Sequence, residues 1–479
     1  MSLTPDSHSD KPVHGQFKEN ASVDAAGPLE ANFDREFERK TLRKVDRRLL
    51  IILGALYAVS LIDRTNISVA RVAGMARDLE LGVGERYSII SAIFFAPYVV
   101  FELPSNILMR KIGCRVHLSA IVILWGAVML GMGFIKTWEQ LAVCRVLLGL
   151  LESGFFPGCV YLISCWYTRF ETQKRMAVFY LTSMVISGFS QIIGYGMSLL
   201  GGTHGIAAWR WVFILFGVIT IGLGIIAAFL IVDFPDKNKF LTPEQTKLMV
   251  ERVQLDRGDA DPDHLTVKKF LNHATDGKIW IFGLSFCFST MPAYAFSYFL
   301  PVILAGGGYD TKTSLCLSAP PYVFAAIYTF CVAYGSDKTR MRGAFIVLSA
   351  TVCMVGLFIM AFGGKLGVRY FGSFLAIAGC QANVPAVLTY QANNILSHSK
   401  RAVSSAVVIG MGGVGGIFAS LVYRQKDFPK YLPGLGATIG CQGAIILMVG
   451  GLSLYFSRKN KKAEQGESIE GNPNFRYTL

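Results

Sequence analysis

The segment Arg145-Val-Leu-Leu-Gly-Leu-Leu-Glu152-Ser-Gly-Phe-Phe-Pro157-Gly158 places two opposite charges inside an apolar run that extends from Trp138 to Tyr167. A run of this length can span a bilayer. A charge at the centre of a membrane helix costs ~2.5–3.5 kcal/mol on insertion scales, so each charge needs a partner or a substrate. Arg145 and Glu152 lie on one helix face, ~10 Å apart along the axis at ~1.5 Å per residue. The proline and glycines that follow predict a bend just past Glu152.

The composition of the whole chain is that of a membrane protein. Of its 479 residues, 52% are hydrophobic and 16% are charged, against roughly 25% charged residues in soluble domains. Twelve runs have the length of roughly 20 residues that a helix needs to cross a bilayer. They lie near residues 49–70, 87–109, 116–135, 139–164, 176–200, 211–232, 279–304, 314–334, 343–362, 368–396, 402–423 and 435–456. A basic turn follows the second run of each half, an internal repeat typical of duplicated transporters. We therefore expect an all-α membrane protein with twelve transmembrane helices in two six-helix bundles related by pseudo-two-fold symmetry.

The predicted spans divide the chain into five parts. Residues 1–48 and 457–479 are expected to be cytoplasmic tails, residues 49–232 and 276–456 the two bundles, and residues 233–275 a cytoplasmic linker with a short surface helix. Lys and Arg are concentrated on the side of both termini, which places that side in the cytoplasm by the positive-inside rule. The net charge of +14 thus reflects membrane topology. We expect a multi-pass monomer in the lipid bilayer of the plasma membrane, with no nucleic-acid partner.

Cysteine and histidine positions argue against an enzyme or a metalloprotein. The ten cysteines have irregular spacing without a Cys-x-x-Cys pair, so we expect neither a disulfide framework nor a zinc site. The seven histidines all lie outside the middle of the predicted spans. We therefore predict a transporter without catalytic residues or cofactors, in which carboxylates carry any coupled proton.

Two further charges, Asp63 and Arg64, lie in the first predicted span. Asp63 and Arg145 reach a similar depth when each is counted from its helix end at ~1.5 Å per residue. Adjacent helical residues point in different directions, so Asp63 and Arg64 need separate partners. We predict an Asp63–Arg145 ion pair that leaves Arg64 available to a ligand. A purely structural ion pair is the alternative.

The four charges sum to zero when all are ionised, so a bound carboxylate would leave the buried site at −1, a costly state in a low dielectric. Protonation of Glu152 removes that cost. We therefore expect the anion and the proton to load together.

Polar residues of the second half are expected to complete the pocket. Tyr298 on the seventh span, and Tyr390 with Asn393 or Asn394 on the tenth, are our candidates, because residues three or four apart share a helix face. Interhelical hydrogen bonds are the alternative for each. The predicted gating residues at the cytoplasmic side are Glu102, Arg110, Lys111, Arg115, Asp337 and Lys338.

Four short motifs along the chain carry a resemblance to a known protein family. They are Asp63-Arg64-x-Asn66, Glu102-x-Pro104-Ser105-Asn106, Arg145-x3-Gly149-x2-Glu152-x4-Pro157-Gly158 and Trp209-Arg210-Trp211-x-Phe213. With them the chain resembles the major facilitator superfamily and, within it, the fungal anion:cation symporters of the allantoate permease type. The loop 110–115 is similar to the superfamily's Gly-x-Leu-x-Asp-Arg-x-Gly-Arg-Arg turn, except that Arg110 stands where Asp is usual.

The resemblance implies that Arg64 holds the substrate carboxylate, that Glu152 carries the coupled proton, and that Asp63 and Arg145 form the switch between them. We therefore predict a secondary active transporter that takes up a small organic anion with protons by alternating access. Allantoate, nicotinate, pantothenate and related acids are candidate substrates. Two alternatives stay open, namely proton-driven efflux of a secondary metabolite and a nutrient sensor that keeps the fold without transport.

Overall fold

The computed structural model describes residues 35–235, 238, 240–257, 273, 275–395, 398–428, 431–469 and 475–479. Long helices dominate this part of the chain. In order they are α1 Arg35–Ala70, α2 Arg86–Ile93, α3 Phe95–Ile112, α4 Cys114–Met132, α5 Trp138–Glu152, α6 Phe155–Trp166, α7 Arg169–Gly188, α8 Ser190–Ser198, α9 Ala208–Leu230, α10 Pro243–Arg257, α11 Gly277–Gly306, α12 Thr311–Thr339, α13 Arg342–Phe362, α14 Leu366–Asn394, α15 His398–Val422 and α16 Leu432–Glu464. Short helical turns lie between some of them, at Arg71–Met75, Ala76–Asp78, Thr203–Gly205 and Gln425–Asp427.

Each of the twelve predicted spans coincides with one of these helices or with a consecutive pair. Nine spans among the described residues are long and apolar enough to cross a membrane. A tenth is formed by the segments Arg86–Glu102 and Pro104–Ile112, which meet at a bend of 52° inside α3. The other two predicted spans fall on α1 and on α7 with α8, which meet at Phe189. A helix break is present just past Glu152, where α5 ends and α6 begins at Phe155, and the two together form the span Trp138–Trp166. The predicted all-α membrane architecture is therefore confirmed.

The boundaries differ from the prediction at both ends of the chain. The first helix begins at Arg35, inside the predicted tail, whereas residues 1–34 of that tail lie outside the described residues. The helix expected in the linker is present as α10, and residues 258–272 of the linker also lie outside the described part. At the other end, α16 continues to Glu464, and residues 475–479 return to pack on the second half.

Within each half, small residues allow helices to approach closely. A Cβ atom at Gly217 of α9 would collide with the backbone of Leu130 in α4, and a Cβ at Gly379 of α14 would collide with the backbone of α13 at Ser349. Glycine at such positions is typical of helix packing in membranes, where van der Waals contact replaces the hydrophobic effect as the driving force.

The two halves contact each other near the membrane side opposite the chain termini. Here the hydroxyl of Tyr87 at the start of α2 donates to the carbonyl of Tyr298 in α11, at 3.1 Å. The hydroxyl of Ser88 reaches the carbonyl of Tyr423, just past α15, at 3.5 Å. These contacts bring the halves together on one side and position the helices that enclose a cavity between them.

Candidate functional site

A cavity of about 130 Å³ lies between the two halves of the chain. Helices α1, α3, α6, α7 and α8 line it from the first half, and α11, α12, α14 and α15 line it from the second. Its aromatic lining residues are Tyr57, Tyr98, Phe156, Tyr180, Phe286, Tyr294 and Tyr322. Its polar and charged lining residues are Arg64, Thr65, Ser190, Gln191, Thr290, Ser297 and Gln381. An apolar, aromatic wall with few polar groups is typical of small-molecule sites.

Arg64 is the cation of this lining, and Glu152 is its ion partner. The Arg64 Nε and Nη2 atoms donate to the same carboxylate oxygen, Oε1 of Glu152, at 2.9 and 2.6 Å. The hydroxyl of Ser60 donates to that oxygen as well. Both charged residues are buried, with only 4% of Arg64 and 2% of Glu152 exposed. The predicted ligand cation and the predicted proton carrier therefore contact each other directly.

Aromatic residues hold the Arg64 guanidinium in place. Its Cζ lies 4.9 Å from the ring centre of Tyr98 and 5.3 Å from that of Phe94, within the range of cation–π attraction. Its Nη1 donates to the hydroxyl of Tyr294 in α11 at 3.0 Å. Because Tyr294 belongs to the second half, Arg64 connects the two halves at the cavity.

The structure does not form the predicted Asp63–Arg145 ion pair. The carboxylate of Asp63 instead accepts hydrogen bonds from the Trp125 indole at 3.1 Å and the Thr220 hydroxyl at 2.8 Å. These donors come from α4 and α9, so Asp63 lies inside the first half. Neutral donors can satisfy a buried carboxylate, which is the physical reason that Asp63 needs no cation beside it in this conformation. The pairing of Asp63 with Arg145 as a switch stays a prediction.

Arg145 lies elsewhere in the first half. Its Nε donates to the carbonyl of Ile90 at 3.3 Å, and its Cζ lies 4.8 Å from the ring centre of Phe94. Its terminal nitrogens make no hydrogen bond of ordinary geometry among the described residues, and the hydroxyl of Tyr298 in α11 is a polar group close to them. Arg145 is thus a fully buried cation at the contact between the halves.

Three of the predicted second-half residues do not line the cavity, and neither does Tyr298. The Tyr390 hydroxyl pairs with Ser453 at 3.0 Å. The Asn394 side chain donates to the Thr478 carbonyl at 3.2 Å and accepts from its backbone N–H at 2.8 Å. Asn393, the residue before Asn394 on α14, is also absent from the lining. The assignment of these residues to the substrate pocket is therefore corrected, and Tyr390 and Asn394 instead hold the second half and the C-terminal residues together.

The predicted gating residues of the first half contact their own half. Arg110 lies over the ring of Tyr161, with 4.6 Å between its Cζ and the ring centre. Arg115 Nε donates to the carbonyl of Ala228 at 2.5 Å. Lys111 is exposed, and Glu102 is buried one helical turn from Tyr98.

Each of the two basic turns contains a residue with positive φ and contacts a carboxylate, but the details differ. Gly113 takes a φ of 102° between α3 and α4, and Arg340 takes a φ of 58° after α12. Asp337 pairs with Arg342 in the second turn at 2.7 Å, beside the exposed Lys338. In the first turn Asp233 supplies the carboxylate, accepting from the Cys114 N–H at 3.1 Å. The role of these turns in gating stays a prediction.

Sequence reasoning gave too little weight to Tyr294 and Gln191, which line the cavity. Tyr294 precedes Tyr298 by one helical turn, and the spacing could not tell which of the two faces the substrate. Gln191 was visible as an amide inside an apolar span, a position that usually carries function or an interhelical bond. Among the described residues, no three His, Cys, Asp or Glu side chains cluster as metal ligands would.

Comparison with known proteins identifies the family of the chain. The model of the Major Facilitator Superfamily matches residues 53–420. The MFS-type transporter cnsO of Penicillium expansum is 32% identical to this chain, and the match covers 94% of this chain and 92% of the cnsO chain. The high-affinity nicotinic acid transporter of Saccharomyces cerevisiae is 28% identical to this chain, and the match covers 92% of this chain and 85% of that transporter.

Solved structures share the fold. A bacterial homologue of the human lysosomal transporter Spinster, inward-facing and occupied, superposes with a TM-score of 0.64 at 16% identity, covering 86% of this chain and 97% of its own. The xylose transporter XylE from E. coli, in a partially occluded inward-open conformation, gives a TM-score of 0.63 at 12% identity, over 84% of this chain and 98% of its own. The predicted resemblance is confirmed: the chain is a membrane transporter that belongs to the Major Facilitator Superfamily.

Proposed function

We propose that this transporter takes up a small organic anion together with a proton by alternating access. The observation that carries the proposal is the buried contact between Arg64 and Glu152 at the wall of the cavity. Arg64 can bind a carboxylate once its present partner, Glu152, has been neutralised by a proton.

Charge balance links the two events. While Glu152 is ionised, it occupies two of the donors of Arg64, and an incoming carboxylate would meet a neutral ion pair rather than a cation. Protonation of Glu152 leaves a neutral acid, so the anion then meets the full charge of Arg64 in a buried site. The anion and the proton therefore bind as a neutral pair, and release of the proton restores the Arg64–Glu152 contact and expels the anion.

Movement of the two halves gives the second part of the cycle. Contacts at Tyr87 and Ser88 close the cavity on the side opposite the termini, which the positive-inside rule makes the outer side. In this conformation Asp63 and Arg145 have separate partners. We propose that they pair in the outward-facing conformation, where Arg145 would gain a counter-ion as the contact with Tyr298 opens.

The size of the cavity favours a small anion. Its volume of about 130 Å³ is well below the ~300–1,000 Å³ of sites for drug-sized ligands. A relative named as a nicotinic acid transporter is consistent with a cargo of this size. We propose the plasma membrane as its location, with both termini in the cytoplasm, and a monomer as the transporting unit.

Uptake into proteoliposomes tests the proposal. Labelled nicotinate and a panel of other small carboxylates are offered with an inward proton gradient, with and without a protonophore. Accumulation of at least one acid above the external concentration, abolished by the protonophore and by Arg64→Gln, is the expected result. Accumulation that does not change when the gradient is removed would contradict proton coupling.

The direction of transport is tested in the same vesicles. An inward proton gradient should drive the acid inward, whereas a proton-driven efflux antiporter would move its substrate against the direction of proton flow. A sensor without transport would show no accumulation with any acid of the panel.

A further inference from the structure

Residues 35–48 of α1 form an extension that precedes the first predicted span. It lies on the side that the positive-inside rule assigns to the cytoplasm, and α1 continues through it without a break up to Ala70. The exposed side chains of the extension are Glu36, Arg39, Lys40, Arg43, Lys44, Arg47 and Arg48. Six of these seven side chains are basic, so the extension presents a concentrated positive charge at the membrane surface.

The extension separates its charges onto two faces. Its other acidic residues turn toward the body of the protein, where Glu38 pairs with Arg252 of α10 at 2.7 Å and Asp46 pairs with Arg175 of α7 at 2.6 Å. The buried residues on this inner side are Thr41, Val45 and Leu49. Because internal arginines neutralise these two carboxylates, the carboxylates do not balance the cations of the outer face.

Three of the six outer cations have contacts within the protein. Lys40 pairs with Glu36, one turn earlier on the same helix, at 2.7 Å. The Nζ of Lys44 lies 6.0 Å from the ring centre of Phe240, and the Cζ of Arg48 lies 5.3 Å from the same centre. Since Phe240 shortly precedes α10, this edge of the extension faces the linker.

The other three cations, Arg39, Arg43 and Arg47, follow one another at intervals of four residues, which makes them neighbours on the helix surface. In the part of the chain that the structure describes, none of the three forms an ion pair or lies over an aromatic ring. The next position at this spacing is Ile51, which is 66% exposed within the predicted span. An exposed isoleucine at that depth faces acyl chains, so the row of arginines continues the lipid-facing surface of α1 into the cytoplasm.

The row begins at the depth of the lipid headgroups. A bilayer has a hydrocarbon core of ~30 Å and a total thickness of ~40–45 Å, so each headgroup layer is roughly 5–8 Å thick. Arg47 lies one helical turn outside Ile51, and Arg43 lies ~6 Å beyond Arg47 at ~1.5 Å per residue. A guanidinium can donate two parallel hydrogen bonds to a phosphate, and a long arginine side chain can bend toward the membrane surface.

We propose that Arg43 and Arg47, assisted by Arg39, bind the headgroup of an anionic phospholipid in the cytoplasmic leaflet. Charge complementarity supports this partner, since each basic residue near a membrane strengthens binding to anionic lipid about fivefold. Segment 1–34 of the chain, with six acidic and two basic residues, is the other possible occupant. The lipid is favoured because the row joins the lipid-facing surface at Ile51. The inference does not depend on the cargo, so its failure would leave the proposed function intact.

Lipid binding to the purified full-length protein tests the inference. Protein in a neutral detergent is titrated with dioleoylphosphatidylglycerol or dioleoylphosphatidylcholine, which share their acyl chains and differ in headgroup charge, and native mass spectrometry counts the bound molecules. The test variant replaces all three arginines by Gln, which keeps a high helix propensity and leaves the inner ion pairs in place. The matched control replaces Lys136, Lys312 and Lys365 by Gln, because these exposed residues lie on the opposite membrane side and carry the same total charge.

The parent protein and the lysine control should bind phosphatidylglycerol about tenfold more tightly than phosphatidylcholine, and the arginine variant should bring that ratio near one. Among single variants, Arg47→Gln and Arg43→Gln should lower the ratio more than Arg39→Gln. The reason is that Arg39 lies ~12 Å from Arg47 along the axis, beyond the ~8 Å Debye length at physiological ionic strength.

Three results would overturn the inference. The first is equal binding of the two lipids by the parent protein, as expected if segment 1–34 occupied the row. The second is an unchanged ratio in the arginine variant, or an equal loss in the lysine control. The third is displacement of the lipid by excess glycerol phosphate, which would show a site for soluble phosphates; the lipid should instead stay bound, because its acyl chains hold it beside the row.

Discussion

Replacing Glu152 by Gln removes the negative charge that Arg64 contacts in the cavity and nearly preserves the size of the side chain. Two unit charges ~4 Å apart attract by ~4 kcal/mol at an effective dielectric constant of about 20, and the Nη2–Oε1 distance here is 2.6 Å. An anion that binds Arg64 beside a neutral Gln no longer competes with this attraction. Its affinity at neutral pH should therefore rise, by a factor between about 10 and about 1,000.

The pH dependence of binding should change in the same variant. In the parent protein, anion affinity should rise about tenfold for each unit by which the pH falls, as long as Glu152 is ionised in the empty protein, because one proton binds with each anion. In Glu152→Gln this slope should vanish. Exchange of labelled for unlabelled anion should persist in proteoliposomes, whereas accumulation driven by a proton gradient should stop.

Equilibrium binding to purified protein across a pH series is the assay, with Ser60→Ala as the control. That control removes a hydrogen bond to the same carboxylate but leaves both charges in place, so it should keep the parent slope. Loss of one partner of a buried ion pair destabilises by ~3–5 kcal/mol, so a thermal melt with and without anion accompanies the binding data. Weaker anion binding by a folded Glu152→Gln protein, or an unchanged pH slope, would refute the assignment of Glu152 as the proton carrier.

Three further predictions concern other contacts. Tyr294→Phe removes the hydrogen bond to Arg64 from the second half, and should slow net transport several-fold more than it weakens anion binding, which parallel uptake and binding assays would reveal. Burial raises the pKa of the Asp276 carboxyl, but bonds from Lys400 and a backbone N–H outweigh burial and place the pKa below its ordinary value. Its contribution to stability is therefore present above pH ~4 and is lost as the pH falls through the lowered pKa, so thermal melts should show Asp276→Asn less stable at neutral pH and equal to the parent in strong acid. Tyr477→Ala removes a ring that stacks 4.2 Å from the ring of Phe456, and should lower the melting temperature by a few degrees, consistent with a loss of ~1–3 kcal/mol, without changing the pH slope of anion binding.

Much of the fold was predictable because the dominant signal is local. An apolar run of about 20 residues specifies a membrane helix whatever its neighbours are, and all twelve such runs are helical in the structure. Charges inside those runs were equally visible, since their cost in lipid marks them as functional. Arg64 and Glu152 were therefore identified from sequence, and the structure places them together.

The partner of each charge was not predictable, because depth along a helix fixes only one coordinate. Asp63 and Arg145 lie at similar calculated depths, but the rotation of each helix decides which side chains meet. Counting charges also left out neutral donors, and it is Trp125 and Thr220 that bind Asp63. A sequence contains no direct signal for either effect.

The positions of Tyr390 and Asn394 relative to the cavity were not predictable either, because they too depend on contacts between distant parts of the chain. Tyr390 and Asn394 share a face of α14, as their spacing predicted, but Tyr390 on that face packs against α16 and Asn394 binds Thr478 near the chain end. Gln381 of the same helix does line the cavity, ~14 Å farther along the axis at ~1.5 Å per residue. The return of the chain end to this helix could not be inferred from the composition of the tail.

Counting protons during anion binding tests the central claim most directly. Purified protein in a weakly buffered solution with a pH indicator is mixed with a saturating amount of a carboxylate that it binds, at a pH where Glu152 is ionised in the empty protein. The account predicts uptake of about one proton per bound anion by the parent protein and none by Glu152→Gln. Anion binding by the parent protein without proton uptake would contradict it.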